Sequence, residues 1–316
     1  MGYKAKTSVL AMIAIIVSAI FLFIHLGHNW DYALPKRSMK LLAILLTGTS
    51  IALSTIVFQT ITNNRILTPS ILGLDSLYMF IQTFVIFIFG SATISITNSN
   101  INFGISVGLM ILFSGVLYRV LFKREEQNIY FLLLIGLIFG TLFQSLSSFM
   151  QVLIDPNEFQ IVQDKMFASF NNIKTDLLVI ASISIIFVLI YFARFAKYLD
   201  VLSLGRDQAI NLGVDYDYVV KRLLIIVSIL ISISTALVGP ITFLGLLVAN
   251  VAYEFFKTYQ HKYLIFGSIL ISIVALVGGQ LIVERVFTFS TTLSVIINFI
   301  GGIYFIYLLL RENKSW

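Results

Sequence analysis

The residues in this chain that could do chemistry are few, and their spacing argues against catalysis. There is no cysteine, so no disulfide, thiolate nucleophile or thiolate metal site can form. The three histidines are His25, His28 and His261. In the orientation that the charge bias favours, the first two fall on one rim and the third on the opposite side, so no metal site or catalytic pair assembles from all three. No G-x-x-x-x-G-K-S/T loop, His-Glu-x-x-His or G-x-S-x-G is present, so ATP cannot be held through a P-loop and an enzyme is not expected. Asp75 is the one acid clearly inside an apolar run. A mid-bilayer carboxylate costs about 2.5–3.5 kcal/mol on insertion scales, which makes a lone Asp a functional candidate. Asp75 lies within about two helical turns of a loop. It is read first as a capping or packing residue and second as a pathway group.

Amides and hydroxyls at helical spacing are the other chemical signal. In the run 128–153, Gly136, Gly140, Gln144, Ser147, Ser148 and Gln151 recur at three- and four-residue intervals, on one face of a helix. Ser294, Asn298, Gly301 and Gly302 repeat the pattern in 291–310, and Ser228, Ser232, Thr235 and Gly239 in 219–238. Small and hydroxyl residues so placed let helices approach closely. Gln144, Gln151 and Asn298 are larger and more polar than packing needs, and their amides are costly to leave unpaired in lipid. A wet translocation pathway would satisfy them.

A third signal is the polar interruption 199–221, LDVLSLGRDQAINLGVDYDYVVK. Arg206, Asp207, Asp215, Asp217 and Lys221 alternate there with Leu202, Leu204, Ile210, Leu212 and Val214. Gly205 and Gly213 divide it into two short amphipathic segments. Gly213 suits a left-handed helix end, and Asp215 and Asp217 suit the cap of the next helix. Such helices either lie on the headgroups or offer an apolar face to a partner outside the membrane.

The elements that must position these residues are membrane spans. The chain of 316 residues is 59% hydrophobic and 11% charged, against about 25% charged in a soluble domain. Spanning lipid takes ~20 apolar residues. Such runs occur at about 8–26, 39–60, 70–90, 101–122, 128–153, 175–197, 219–238, 241–256, 262–283 and 291–310, with 241–256 the shortest. No strand-type alternation is seen. The fold expected is an all-α polytopic membrane protein of about ten transmembrane helices in one domain, 1–316. Lys4 and Lys6 precede the first run, but no small-residue cleavage site follows, so it reads as a retained helix.

Ten alternating spans with the N-terminus inside leave only Lys36, Arg37, Lys40, Lys165, Lys174 and Arg285 of the 21 lysines and arginines outside. That bias favours N-in, C-in, and it places 199–221 in the cytoplasm. The net charge of +6 is scattered over loops, so it serves topology and does not point to nucleic acid. Lys36, Arg37 and Lys40 cluster on the face where cations should be scarce. They either snorkel or meet acidic groups on an external partner. Pro35 suits the first turn of the second helix. Pro69 with Gly73 marks a break and re-entry, and Pro240 between two glycines breaks the chain between spans seven and eight. The outside loop 155–175 is long enough for a short surface helix.

Taken in order, these residues resemble the FecCD/BtuC-like permease subunits of binding-protein-dependent ABC importers for ferric siderophores, haem and cobalamin. The resemblance runs from about Leu34 to Leu310. LSLGRDQAINLGV (202–214) is similar to the family's L-x-L-G-x-x-x-A-x-x-L-G-V segment, and VGPITFLGLLVANVA (238–252) to A-G-P-I-x-F-x-G-L-x-x-P-H. ALPKR resembles R-L-P-R, NNRILTPSILGL resembles N-P-L-A-x-P-x-x-L-G-V, and GGIYFIYLLLR resembles G-x-P-x-F-x-x-L-L-x-R. Departures are Asn64-Arg65 for N-P, Ala249-Asn250 for P-H, and Ser290 to Ser294 for E-L-P-x-G. They resemble a divergent branch, one partner of paired permeases in iron–catecholate or petrobactin-type systems.

The resemblance implies a type II ABC importer permease, with two permease subunits around a pathway and two cytoplasmic ATPase subunits that hold the ATP. This chain itself is expected to bind no cofactor. Leu202, Leu204, Gly205, Arg206, Ala209, Leu212, Gly213 and Val214 would form the ATPase-coupling segment. Gln144, Ser147, Ser148, Gln151, Ser294, Asn298 and Gly301 would line the pathway. Lys36, Arg37 and Arg285 would meet the extracytoplasmic substrate-binding protein. A homodimer and a heterodimer with a related permease are both open, as is the choice among iron–siderophore, haem and cobalamin. The alternative class is an ion-coupled secondary transporter, for which Asp75 is the lone midplane candidate. A structural or membrane-enzyme subunit has no constellation in its favour.

Overall fold

The computed structural model describes residues 2–24, 30–90, 98–122, 129–171 and 173–312. His25 and His28 lie outside the described residues, as does the side chain of Arg311. The α-helices among the described residues are α1 (Tyr3–Phe23), α2 (Trp30–Thr62), α3 (Leu74–Phe89), α4 (Ser99–Phe122), α5 (Ile129–Leu153), α6 (Pro156–Met166), α7 (Thr175–Ala193), α8 (Leu199–Leu202), α9 (Arg206–Asn211), α10 (Tyr216–Val238), α11 (Leu244–Phe256), α12 (His261–Arg285) and α13 (Leu293–Glu312). Among the described residues, seven helices are long and apolar enough to cross a membrane: α1, α2, α4, α5, α7, α10 and α12. The apolar parts of α3, α11 and α13 are shorter. The ten apolar runs thus become seven helices of spanning length and three shorter ones.

The two most buried spans, α2 and α10, pack against each other and form the centre of the bundle. Against α2 lie α12, α11, α7 and α1, and against α10 lie α4 and α7. The core between them is aliphatic, with Ile44, Ile56, Val227 and Leu276 fully buried. Hydroxyls are threaded through it, including Thr47, Ser50, Ser54, Ser232 and Ser272. Small polar side chains at these positions let the central helices come close where leucines would hold them apart. At Gly48 an added Cβ would stand 2.8 Å from Ser272 Oγ.

The helical bundle is interrupted at two places. After α2 the chain makes a 3-10 turn, Pro69–Leu72, and Gly73 takes a left-handed φ of 78° before α3 starts. This turn passes directly over α5. A Cβ on Gly136 would lie 2.9 Å from Ile71 O, and one on Gly140 3.2 Å from Gly73 Cα. Backbone contact at that range requires glycine on both sides. The second break is Gly239–Phe243 between α10 and α11. Its polar backbone finds partners in the protein, as buried irregular backbone must. Val238 O accepts from Ser169 N at 2.8 Å, and Asn298 Oδ1 accepts from Phe243 N at 3.4 Å.

Two local expectations take a definite form. The sequence suggests Pro35 in the first turn of the second helix, but α2 begins at Trp30 and Pro35 lies inside it. The helix tolerates the ring there at the loss of one hydrogen bond, to the carbonyl of Asp31 in its first turn. In the outside loop the expected surface helix is α6, whose N-cap Asp155 accepts from Asn157 N at 2.9 Å and whose first and last turns carry Glu158 and Lys165.

Candidate coupling surface, pathway face and outer rim

The stretch 199–214 folds as two short helices, α8 and α9, joined at Gly205 with φ 98°. Its apolar residues divide into two sets. Leu199, Leu202 and Ala209 are buried against the bundle and root the segment. Leu204, Ile210 and Leu212 point away from it and are 56%, 43% and 63% exposed. Gly213 turns the chain with φ 83°, and Asp215 caps α10 by accepting from Tyr218 N at 3.2 Å. Asp217, expected as a second cap, instead faces Arg206 at 4.0 Å on the surface. An exposed pair of that length adds little stability. The segment is thus a rooted ledge with three large aliphatic side chains facing out.

The ledge is tied to the bundle by a link that no local pattern announces. Asp200 of α8 accepts from His261 N at 2.8 Å and pairs with His261 Nδ1 at 2.7 Å. His261 Nε2 reaches Thr60 Oγ1 of α2 at 2.8 Å. Asp200 therefore closes the N-terminus of α12 from 61 residues away and joins α8, α12 and α2. Only the pairing of an acid in a short loop helix with a histidine at a span start could have hinted at it.

Beside the ledge end of the bundle, a cavity of about 720 Å³ is lined by Tyr3, Arg65, Asn250, Tyr253, Lys257 and Tyr304 among others. Arg65 stacks over the Tyr253 ring at 4.6 Å, and Asn250 Nδ2 donates to Arg65 O at 3.1 Å. The two departures Asn64-Arg65 and Ala249-Asn250 are therefore in contact, and each accommodates the other.

The seven residues expected to line a pathway are not equivalent. Gln144 and Ser148 are exposed on the outer face of α5. Ser147 turns inward and shares a 2.8 Å hydrogen bond with Thr83 Oγ1 of α3, and Gln151 Nε2 donates to Ser147 Oγ at 3.0 Å. On α13, Ser294 Oγ accepts from Ala168 N at 3.1 Å, and Asn298 holds Phe243 N. Gly301 is buried, and a Cβ there would meet Phe243 Cβ at 2.4 Å. Five of the seven thus pack or hydrogen-bond within this chain. Two remain on an open face.

At the opposite end, Arg37 Nη1 donates to the carbonyls of Phe21, Leu22 and Ile24, and Arg285 Nη2 to Ile24 O. Both guanidinium groups converge on the C-terminal end of α1, where the carbonyls are unsatisfied and the helix dipole is negative. Lys40 forms a 2.9 Å ion pair with Glu284. Lys36 stays exposed, hydrogen-bonded to Tyr32 and lying over its ring. Asp75 falls in the first turn of α3, where a carboxylate suits the helix dipole.

Over residues 7–311 the chain matches the FecCD transport family. It is 69% identical over 316 residues, the whole of both chains, to the petrobactin import system permease protein YclO of Bacillus subtilis strain 168. It is 24% identical over 282 residues to the petrobactin import system permease protein YclN of the same organism, covering 88% of this chain and 85% of that one. Its fold superposes with a TM-score of 0.81, at 22% identity, on a solved chain described as an inward-facing metal-chelate type ABC transporter, covering 98% of this chain and 100% of that one. The family match along nearly the whole length, on a helical bundle with broken central elements and a rooted ledge, establishes that this chain belongs to the FecCD transport family.

Proposed function

We propose that this chain is the membrane permease subunit of an ABC importer that carries an iron–siderophore complex of the petrobactin type. The 69% identity to YclO along both full lengths carries the reading. Separate ATPase subunits dock on the ledge 199–214, where Leu204, Ile210 and Leu212 offer aliphatic area with no use inside the chain. Movement of the ledge passes to α2 and α12 through Asp200 and His261. The bundle then alternates access between the two sides. The chain supplies the gate, and the energy comes from ATP held elsewhere.

A second permease completes the pathway. Two Bacillus subtilis relatives carry the petrobactin permease name, and this chain is 69% identical to one and 24% to the other. That gap supports a heterodimer with a YclN-like partner. The open face of α5 with Gln144 and Ser148 is the surface we assign to the pathway. Lys36, at the outer rim, is the exposed cation for the acidic face of an extracytoplasmic binding protein, while Arg37 and Arg285 hold the rim in shape. Uptake of radioiron as ferric petrobactin, in cells with and without the gene for this chain, tests the reading. Uptake that falls to background without the gene and returns on complementation supports it. Loss of ferric hydroxamate or haem uptake instead, with petrobactin unaffected, would replace the substrate.

A further inference from the structure

The carboxylate of Asp75 is directed into a space between the two helix breaks. That space is a cavity of about 10 Å³, enough for one water-sized particle. Its oxygen-bearing walls are Asp75, Thr55, Thr68, Ser70, Thr235 and Thr242. They come from α2, α3 with the re-entrant turn before it, α10 and the link 239–243, so four separate segments meet around one acid. Asp75 Oδ1 accepts from Thr235 Oγ1 at 3.3 Å, and Ser70 lies on the same cavity wall. Part of the residue touches the surface of the chain, but Oδ2 is fully buried and has no hydrogen-bond partner. Thr242 is exposed and gives the cavity a mouth.

The donor set selects the kind of occupant. Every polar side chain on the wall is an oxygen ligand, and no lysine, arginine, histidine or amide is present to neutralise the acid. Oxygen-only sites suit hard cations. A divalent ion would need more negative charge. Among the described residues, no group of three His, Asp or Glu gathers anywhere. One carboxylate balances one positive charge. The cavity lies beside two helix breaks, the kind of place at which membrane transporters hold sodium. Thr55 is pressed close by α11, since a Cβ on Gly245 would sit 2.1 Å from Thr55 Oγ1.

We propose that Asp75 and the surrounding hydroxyls form a sodium site that fastens the re-entrant turn to the break between α10 and α11. Asp75 supplies the charge, and Thr55, Ser70, Thr235 and Thr242 supply neutral oxygens. The ion ties together α2, α3 with the turn before it, α10 and the link 239–243. This inference concerns an ion held in the bundle and stands apart from which chelate is carried.

The test is thermal unfolding of the purified permease, with its partner subunits, in sodium chloride and in choline chloride at equal ionic strength. The unfolding temperature of the wild-type complex should rise saturably with sodium by at least ~2 °C, as binding to the folded state alone requires. Asp75→Asn should abolish the rise. Thr235→Val keeps the charge but removes one oxygen, and should raise the sodium concentration at half-effect several-fold. Coincident wild-type curves in the two salts would overturn the proposal and leave a proton or a water on Asp75. A sodium-dependent rise that survives in Asp75→Asn would place the ion elsewhere. If Asp75→Asn does not fold, the Thr235→Val titration decides, and an unchanged half-effect concentration refutes the site.

Discussion

Changing Leu204 and Leu212 together to Asp should uncouple the permease from its ATPase without unfolding it. The two side chains are 56% and 63% exposed and lie outside the core, so their replacement changes the stability of the chain by no more than ~0.5 kcal/mol. Fully burying a leucine is worth about 1.5–3 kcal/mol, so covering the exposed part of each in an ATPase cleft contributes about 1 kcal/mol. Losing both costs at least ~2 kcal/mol, or roughly 30-fold in affinity, before the penalty for desolvating the new carboxylates is added. Quantitative recovery of the ATPase with the tagged permease from native membranes measures this directly, alongside ferric siderophore uptake. The variant should reach the membrane at wild-type level, recover little ATPase and fail in uptake. Leu202→Ala is the contrasting control. Leu202 is 2% exposed, so truncation costs about 2–5 kcal/mol and should lower the amount of folded protein itself. Wild-type ATPase recovery and uptake by Leu204→Asp/Leu212→Asp would refute the assignment of the ledge.

Other perturbations separate positions that look alike in sequence. Gly301→Ala places a Cβ 2.4 Å from Phe243 and should cost about 1–3 kcal/mol, seen as a lower unfolding temperature. Gln144→Leu on the open face of α5 should leave that temperature unchanged while altering transport. Arg37→Ala should lower stability by about 1 kcal/mol because it uncovers the carbonyls of Phe21, Leu22 and Ile24, whereas Lys36→Ala should leave stability intact and weaken binding-protein affinity in a salt-dependent way. Asp200→Ala removes the cap on α12 and the tie to α8, and should cost about 0.5–2 kcal/mol with uptake reduced further than the loss of folded protein explains.

The helical class and the positions of most elements were legible because apolar runs and glycine–proline breaks are local signals. The re-entry at Pro69–Gly73, the break at Pro240, the left-handed Gly213 and the Asp215 cap all stem from the conformational needs of a few neighbouring residues. Contacts between distant segments were not legible. Periodicity put Gly136, Gly140, Ser147 and Gln151 on one face but could not say that the first pair meets the re-entrant turn and the second meets Thr83. The cluster Lys36, Arg37 and Lys40 read as one basic patch, yet its members face a tyrosine, the end of α1 and Glu284. Direction around a helix end depends on what packs there, and sequence spacing does not carry it. The link from Thr60 through His261 to Asp200 spans three elements and has no local trace.

The most direct test of the central claim uses the absence of cysteine in the natural chain, which makes any introduced thiol unique. Leu212→Cys, with a short bifunctional crosslinker in native membranes, should yield one dominant adduct with a P-loop ATPase subunit identified by mass spectrometry. Val152→Cys, on the 84% exposed outer side of α5, should yield none. An adduct at Leu212 would show the ledge seated on the motor. No ATPase adduct at Leu212, from membranes in which that subunit is retained and uptake is normal, would contradict the account.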